Sequence, residues 1–138
     1  MANAIYPKWK EALILGTANS ALTGSGTTGL YVALVDTGVY TYNVAHEFYS
    51  SLTGIAGTDQ EVTAVTAVSG IVDGNNTTHT AVAAGATLEA LVLYRRNTGA
   101  NTTWRLVCYL DSSVTGLPVT PNGGDITITW NATGIFGL

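Results

Sequence analysis

Short apolar runs, separated by glycine- and threonine-rich punctuation, organise this chain. Residues 30–35 are continuously apolar and end at Asp36-Thr37-Gly38. A run that short, with turn residues on both sides, predicts a strand buried on both faces. Residues 88–94 and 104–110 predict two further strands, joined by a polar loop at residues 97–101. Residues 125–130 alternate with a period of two, which puts Ile126, Ile128 and Trp130 on one side and Thr127 and Thr129 on the other. Pro118 and Pro121, just before that strand, mark an irregular or edge stretch. Residues 61–68 are strand-like without clean alternation, and Asp73-Gly74-Asn75-Asn76 predicts a hairpin turn into residues 77–82.

Helical periodicity is confined to two places. Pro7 suits a first helical position and Gly16 the residue just past an end. Between them Trp9, Leu13 and Gly16 share a face, with Ala12 beside them and Lys8, Lys10 and Glu11 as the polar complement. A second short helix is expected over residues 45–52, capped by Asn43 and ended by Gly54. Thr is the commonest residue and Gly occurs 16 times, a combination suited to pleated strands and tight turns. The expected fold is mainly β: an antiparallel, jelly-roll-like β-sandwich forming one domain over residues 1–138, with residues 1–16 as an N-terminal helical segment. Leu34, Leu91, Leu93, Val107 and Trp130 are its expected core.

Composition changes the picture in one respect. Five Lys/Arg and nine Asp/Glu make up 10% of the chain, and mean hydropathy is +0.27. Ordinary soluble domains carry about 25% charge. No run approaches the roughly 18 apolar residues of a membrane-spanning helix, so burial against other protein is the expected use of this surface. A net charge of −4 and only five basic groups argue against a nucleic-acid partner. The first residues lack the basic start and apolar core of a signal peptide, so synthesis in a cytoplasm is expected. One cysteine excludes an internal disulfide framework.

Candidate chemistry is sparse. Gly24-Ser25-Gly26-Thr27-Thr28-Gly29 has the letters of a dinucleotide-binding loop, but that mechanism needs a strand before it and a helix after it. Here the order is reversed, so no cofactor is expected. His46, His79 and Cys108 match no metal-ligand spacing. Ser20, Ser50 and Ser112 lie in no nucleophile elbow, and the carboxylates form no recognisable catalytic pair, so an enzyme is not expected. The Asn-x-Thr triplets at Asn75, Asn76, Asn101 and Asn131 follow from the abundance of Thr and Asn. Two groups stand out as candidate assembly contacts. Tyr6, Lys8 and Trp9 combine aromatic anchors with charge near the start, the alternative, which is favoured for Trp9, being a helix that packs it onto its own sheet. Arg95, Arg96 and Arg105 gather three of the five basic residues at one end of a predicted hairpin, either as a solvated tip that blocks edge pairing or as a contact with an acidic neighbour.

The opening Met1-Ala2-Asn3-Ala4-Ile5-Tyr6-Pro7-Lys8-Trp9-Lys10-Glu11-Ala12-Leu13 and the closing Thr115-Gly116-Leu117-Pro118-Val119-Thr120-Pro121-Asn122-Gly123-Gly124-Asp125-Ile126-Thr127-Ile128-Thr129-Trp130 carry a resemblance. Together with residues 31–38 and Thr41-Tyr42, they resemble a family of small structural proteins of tailed bacteriophages, some described as capsid decoration or cement proteins. The resemblance implies a non-enzymatic virion protein on the outer capsid surface. Its partner would be the major capsid protein, bound across subunit boundaries, with no nucleic acid and no membrane involved. It also implies a homo-oligomer, a trimer being favoured by analogy with three-fold capsid positions. The alternatives are a tail or head–tail component, or a β-sandwich carbohydrate-binding module, which needs exposed aromatics in a row.

Overall fold

Every residue of β2 (Gly29–Val35) is buried, as its unbroken apolar run requires, and the fold is arranged to cover both of its faces. The computed structural model describes residues 3–138. Its largest sheet is antiparallel and five-stranded, in the order β1 (Ala4–Ile5), β8 (Arg105–Leu110), β7 (Ala90–Arg96), β2, β3 (Ile55–Glu61). Two three-stranded antiparallel sheets complete it: β6 (Thr77–His79), β10 (Ile126–Trp130), β9 (Val114–Thr115), and β11 (Phe136–Gly137), β5 (Ile71–Asp73), β4 (Thr66–Val68). The arrangement is mainly β and sandwich-like, as expected.

The inner face of the large sheet meets the sheet containing β10 in an aliphatic core. Leu34, Leu91, Leu93, Val107 and Trp130 all belong to this one cluster, joined by Trp9, Ile126 and Ile128. The alternation in β10 places Ile126, Ile128 and Trp130 inward and both threonines outward. The outer face gathers Tyr6, Tyr31, Tyr40, Tyr94 and Tyr109 with Ala33, Val35, Val92 and Leu106. A bulge keeps the two faces in order. Leu93 pairs with Cys108 but Tyr94 pairs with Leu106, which leaves Val107 as the extra residue. Without it, Leu106 would share the inner face with Cys108 and Leu110, because side chains alternate along a strand.

The helix α1 (Pro7–Ile14) begins at Pro7 and is closed by Gly16 in the left-handed region at φ 63°, burying Trp9 and Ala12. The second expected helix does not form. Asn43 Oδ1 does accept the Ala45 N–H, but the chain then extends along the end of β8. There Leu106 N–H donates to the Glu47 carbonyl at 2.9 Å and Tyr49 N–H to the Trp104 carbonyl at 2.8 Å. Sheet pairing takes the backbone groups a helix needs, and only a single 3₁₀ turn, Tyr49–Ser51, remains. Residues 36–54 therefore run as an irregular strap over the outer face.

Two other expectations are corrected. Residues 61–68 are not one strand: the chain leaves the large sheet after Glu61, turns at Ala64 (φ 53°) and enters β4. Residues 73–76 do not close a hairpin, because β5 and β6 belong to different sheets. Asn76 Oδ1 accepts the Trp130 backbone N–H and the Asn75 carbonyl accepts the Trp130 indole N–H at 2.8 Å. The turn residues thus serve β10 and redirect the chain along it.

Candidate assembly surface

The opening aromatics are turned inward: Trp9 packs into its own core, the favoured alternative, and Tyr6 is no surface anchor. Tyr6 is fully buried, its hydroxyl 2.7 Å from that of Tyr40, which in turn lies 2.9 Å from His46 Nδ1. Trp9 donates its indole N–H to the Ser20 carbonyl at 2.7 Å and meets Phe136 edge-on. A buried indole or phenol needs a polar partner as well as apolar cover, and both are found within the chain. Lys8 lies on the helix surface, 3.0 Å from Glu11 Oε2.

Arg95 and Arg105 are brought together as expected, directly opposite one another on β7 and β8. Both are spent on internal contacts. Arg105 is buried, with Nη1 2.7 Å from Glu47 Oε1, Nε donating to the Ala18 carbonyl and the guanidinium over Phe48. Arg95 Nε donates to the Ala21 carbonyl at 2.6 Å. The two arginines hold the segment that follows α1 against the large sheet, each through a backbone carbonyl of that segment. The Gly24–Gly29 loop is likewise structural, held by Gly26 N–H on Glu61 Oε1 and by the Tyr31 hydroxyl on the Gly26 carbonyl.

Arg96 belongs to a cluster that sequence reasoning missed in part. Its guanidinium lies 5.1 Å from the Tyr31 ring centre and 4.8 Å from that of Trp104. Trp104 stacks on Tyr94 at 10° between planes, and Tyr49 from the strap packs against both rings. Beneath them, Asp59 Oδ2 accepts from the Tyr49 and Tyr94 hydroxyls at 2.7 and 2.8 Å. Asp59 is aimed there by an irregular stretch of β3, where Gln60 pairs with Val32 but Ala56 pairs with Leu34, and where Gly57 takes φ 70°. Burial raises the Asp59 pKa, while the two hydroxyls and Arg96 oppose that shift. Asp59 lies just before the stretch read as strand-like, and no sequence pattern marked it.

This cluster ties strap to sheet and is closed by its own rings. Elsewhere, burial pushes the Cys108 thiol up to about 12 and lowers the His79 pKa, which leaves the thiol un-ionised and the imidazole neutral at ordinary pH. Among the described residues, no group of three or more His, Cys, Asp or Glu is placed to hold a metal. No helix among them is long and apolar enough to cross a membrane.

What the surface does offer is an uncharged apolar groove on one side of the large sheet and exposed aliphatic side chains on both. On the inner-core side, a groove of about 610 Å³ is lined by Trp9, Leu13, Leu22, Val65, Val72 and Leu138 among others, with no Asp, Glu, Lys or Arg side chain in it. Ile14 and Leu15, which follow Leu13, are 83% and 79% exposed, and Val68, Ile71 and Leu138 are also exposed. On the other side, the strap presents Val39 and Val44 to solvent. The exposed large hydrophobic side chains among the described residues are all aliphatic. Compared with known proteins, the chain matches no family model, no curated protein and no solved structure.

Proposed function

We propose that this chain is a non-enzymatic virion structural protein of a tailed bacteriophage, a decoration protein that binds the outer capsid surface across subunit boundaries and stabilises the shell. The observation that carries this reading is the uncharged apolar groove on one side of the large sheet, with exposed aliphatic side chains on both, in a chain with only 10% charged residues. Exposed apolar patches on a soluble protein mark contact surfaces. A protein that bridges neighbours needs more than one such surface, whereas an enzyme concentrates its chemistry in one cleft. The resemblance of both ends of the chain to small phage structural proteins supports the same reading. The carbohydrate-binding alternative needs a platform of exposed rings, and the exposed hydrophobic side chains here are aliphatic.

A protein that binds the assembled lattice, and not free subunits, stabilises the lattice by mass action. Virions depleted of the protein should therefore release DNA at a lower temperature, and adding the protein back should restore the original midpoint. Depleted particles that are as heat-stable as complete ones but fail to adsorb to cells would overturn the capsid role in favour of a tail role.

A further inference from the structure

The edges of the sheets are protected to different degrees. β1 is two residues long, and the Asn3 side chain beside it is occupied by the Asp111 and Ser112 N–H groups. β3 is interrupted by its irregularity, carries Asp59 and Glu61, and has its Thr58 carbonyl within 3.2 Å of His79 Nδ1 from β6. β9 is two residues long and is followed by Pro118. Short strands, bulges, charge and proline are the usual means by which proteins blunt an open edge. β4 is also short, at three residues, but carries no bulge, charge or proline. All three of its residues are exposed, its one strand neighbour is β5, and residues 62–72 contain no charged residue and no proline.

The hydrogen-bonding groups of that edge can be placed. Val68 and Ile71 flank a two-residue turn, with Ser69 and Gly70 at φ 52° and 78°, the signature of a tight hairpin. Ala67 pairs with Val72, and the Val72 carbonyl accepts the Ile135 N–H at 2.8 Å on the side of β11. Val72 therefore directs its backbone groups away from β4, and antiparallel pairing makes Ala67 and Val72 a non-hydrogen-bonded pair. The Ala67 N–H and C=O consequently point outward from the open edge, one donor and one acceptor on one residue. Around them Val68 and Ile71 are exposed, and Val65, Thr66 and Ala67 line the uncharged groove.

We propose that the open edge of β4 pairs with the same edge of a second copy of this chain, antiparallel about a two-fold axis through Ala67. Each Ala67 N–H then meets the Ala67 carbonyl of the other copy, and the two small sheets become one continuous sheet. The choice of occupant follows from charge. The molecule carries −4 overall, yet residues 62–72 carry none, with Asp73 opposite Thr66 as the charge beside the strand, so β4 itself adds no repulsion between two copies. A charged strand would instead have to lose its hydration against Val68 and Ile71. An edge with matched donor and acceptor and no charge is complementary to itself, which is the requirement of an isologous interface. The pairing is two-fold, unlike the trimer implied by the resemblance.

The test uses the full chain in solution and needs no virions, so it succeeds or fails independently of the decoration role. Light scattering at micromolar concentration should give twice the 14.3 kDa chain mass. Ala67→Pro, which removes the outward N–H, and Val68→Lys, which charges the edge, should each give a single-chain mass with an unchanged far-UV spectrum. In the unaltered chain, the Ala67 amide should exchange with solvent more slowly as concentration rises. The proposal is overturned by a single-chain mass throughout, which would leave the edge for a foreign extended segment. A three-chain mass, or a pair that persists undiminished in Val68→Lys, overturns it equally.

Discussion

The two faces of the large sheet are built from the same strands and held together differently. Along β2, Leu30, Val32 and Leu34 enter the aliphatic core, while Tyr31, Ala33 and Val35 enter the tyrosine-rich one. The aliphatic face is sealed by another sheet, and its contacts are non-directional, so any well-packed apolar side chain of similar volume serves. The outer face is sealed by the strap, a stretch with one turn of 3₁₀ helix as its regular structure. Its hydroxyls must each find a partner: Tyr6 with Tyr40, Tyr40 with His46, Tyr49 and Tyr94 with Asp59. Irregular backbone is held in place there by directional bonds, where regular sheets would rely on packing.

Neighbouring residues of β7 test that contrast, since Leu93 faces inward and Tyr94 outward. The largest effect should come from Leu93→Ala, which opens a cavity in the aliphatic core and should cost about 2–5 kcal/mol in urea unfolding. A loss below about 0.5 kcal/mol, far under that range, would show that the core does not depend on this strand. Tyr94→Phe keeps the ring and removes one donor from Asp59. It should cost about 1–3 kcal/mol, as expected for a hydrogen bond to an ionisable group. Asp59→Asn should cost a similar amount, about 1–3 kcal/mol, because the amide oxygen still accepts both hydroxyls but the NH2 group replaces Oδ1, which is buried with no partner. If Asp59→Asn is the more damaging of the two, the carboxylate itself holds the strap.

A smaller effect should separate the faces by pH. On the aliphatic side, His79 is fully buried and its folded pKa is lowered from 6.5. Its stabilisation is complete above 6.5 and is lost as pH falls from there toward the lowered folded value, where the unfolded chain binds the extra proton. On the outer side, the Asp59 pKa is raised from 3.8. Its contribution has the opposite sign: complete below 3.8 and lost as pH rises through the raised folded value. Urea midpoints measured across this window should show His79→Gln flattening the loss below 6.5 and Asp59→Asn flattening the change just above 3.8. A His79→Gln protein that keeps the full acid sensitivity would assign it to other groups.

The three central strands of the large sheet, β2, β7 and β8, could be read from the chain because a continuous apolar run has only a two-sided interior to occupy, whereas β1, inside the expected helical segment 1–16, and β3 could not. The same logic placed Leu34, Leu91, Leu93, Val107 and Trp130 in one cluster and set the inward residues of β10 by strict alternation. Pro7 and Gly16 marked the ends of α1 by local backbone preference alone. These are properties of short segments, and short segments carry them.

Tertiary structure decided the rest, because each remaining question was a competition for distant partners. Residues 45–52 have helical spacing, yet pairing with β8 takes their backbone groups. Asn75 and Asn76 have turn chemistry, yet they are held by Trp130, so β5 and β6 part into different sheets. Tyr6 and Arg105 look like surface anchors in the sequence, and become interior once Tyr40 and Glu47 supply their polar partners. Asp59 acquires its two tyrosines through an irregularity in β3 that no local pattern announces. Burial, edge exposure and hydrogen-bond satisfaction depend on which segments meet. That is settled by the packing of the whole chain, where apolar periodicity is settled residue by residue.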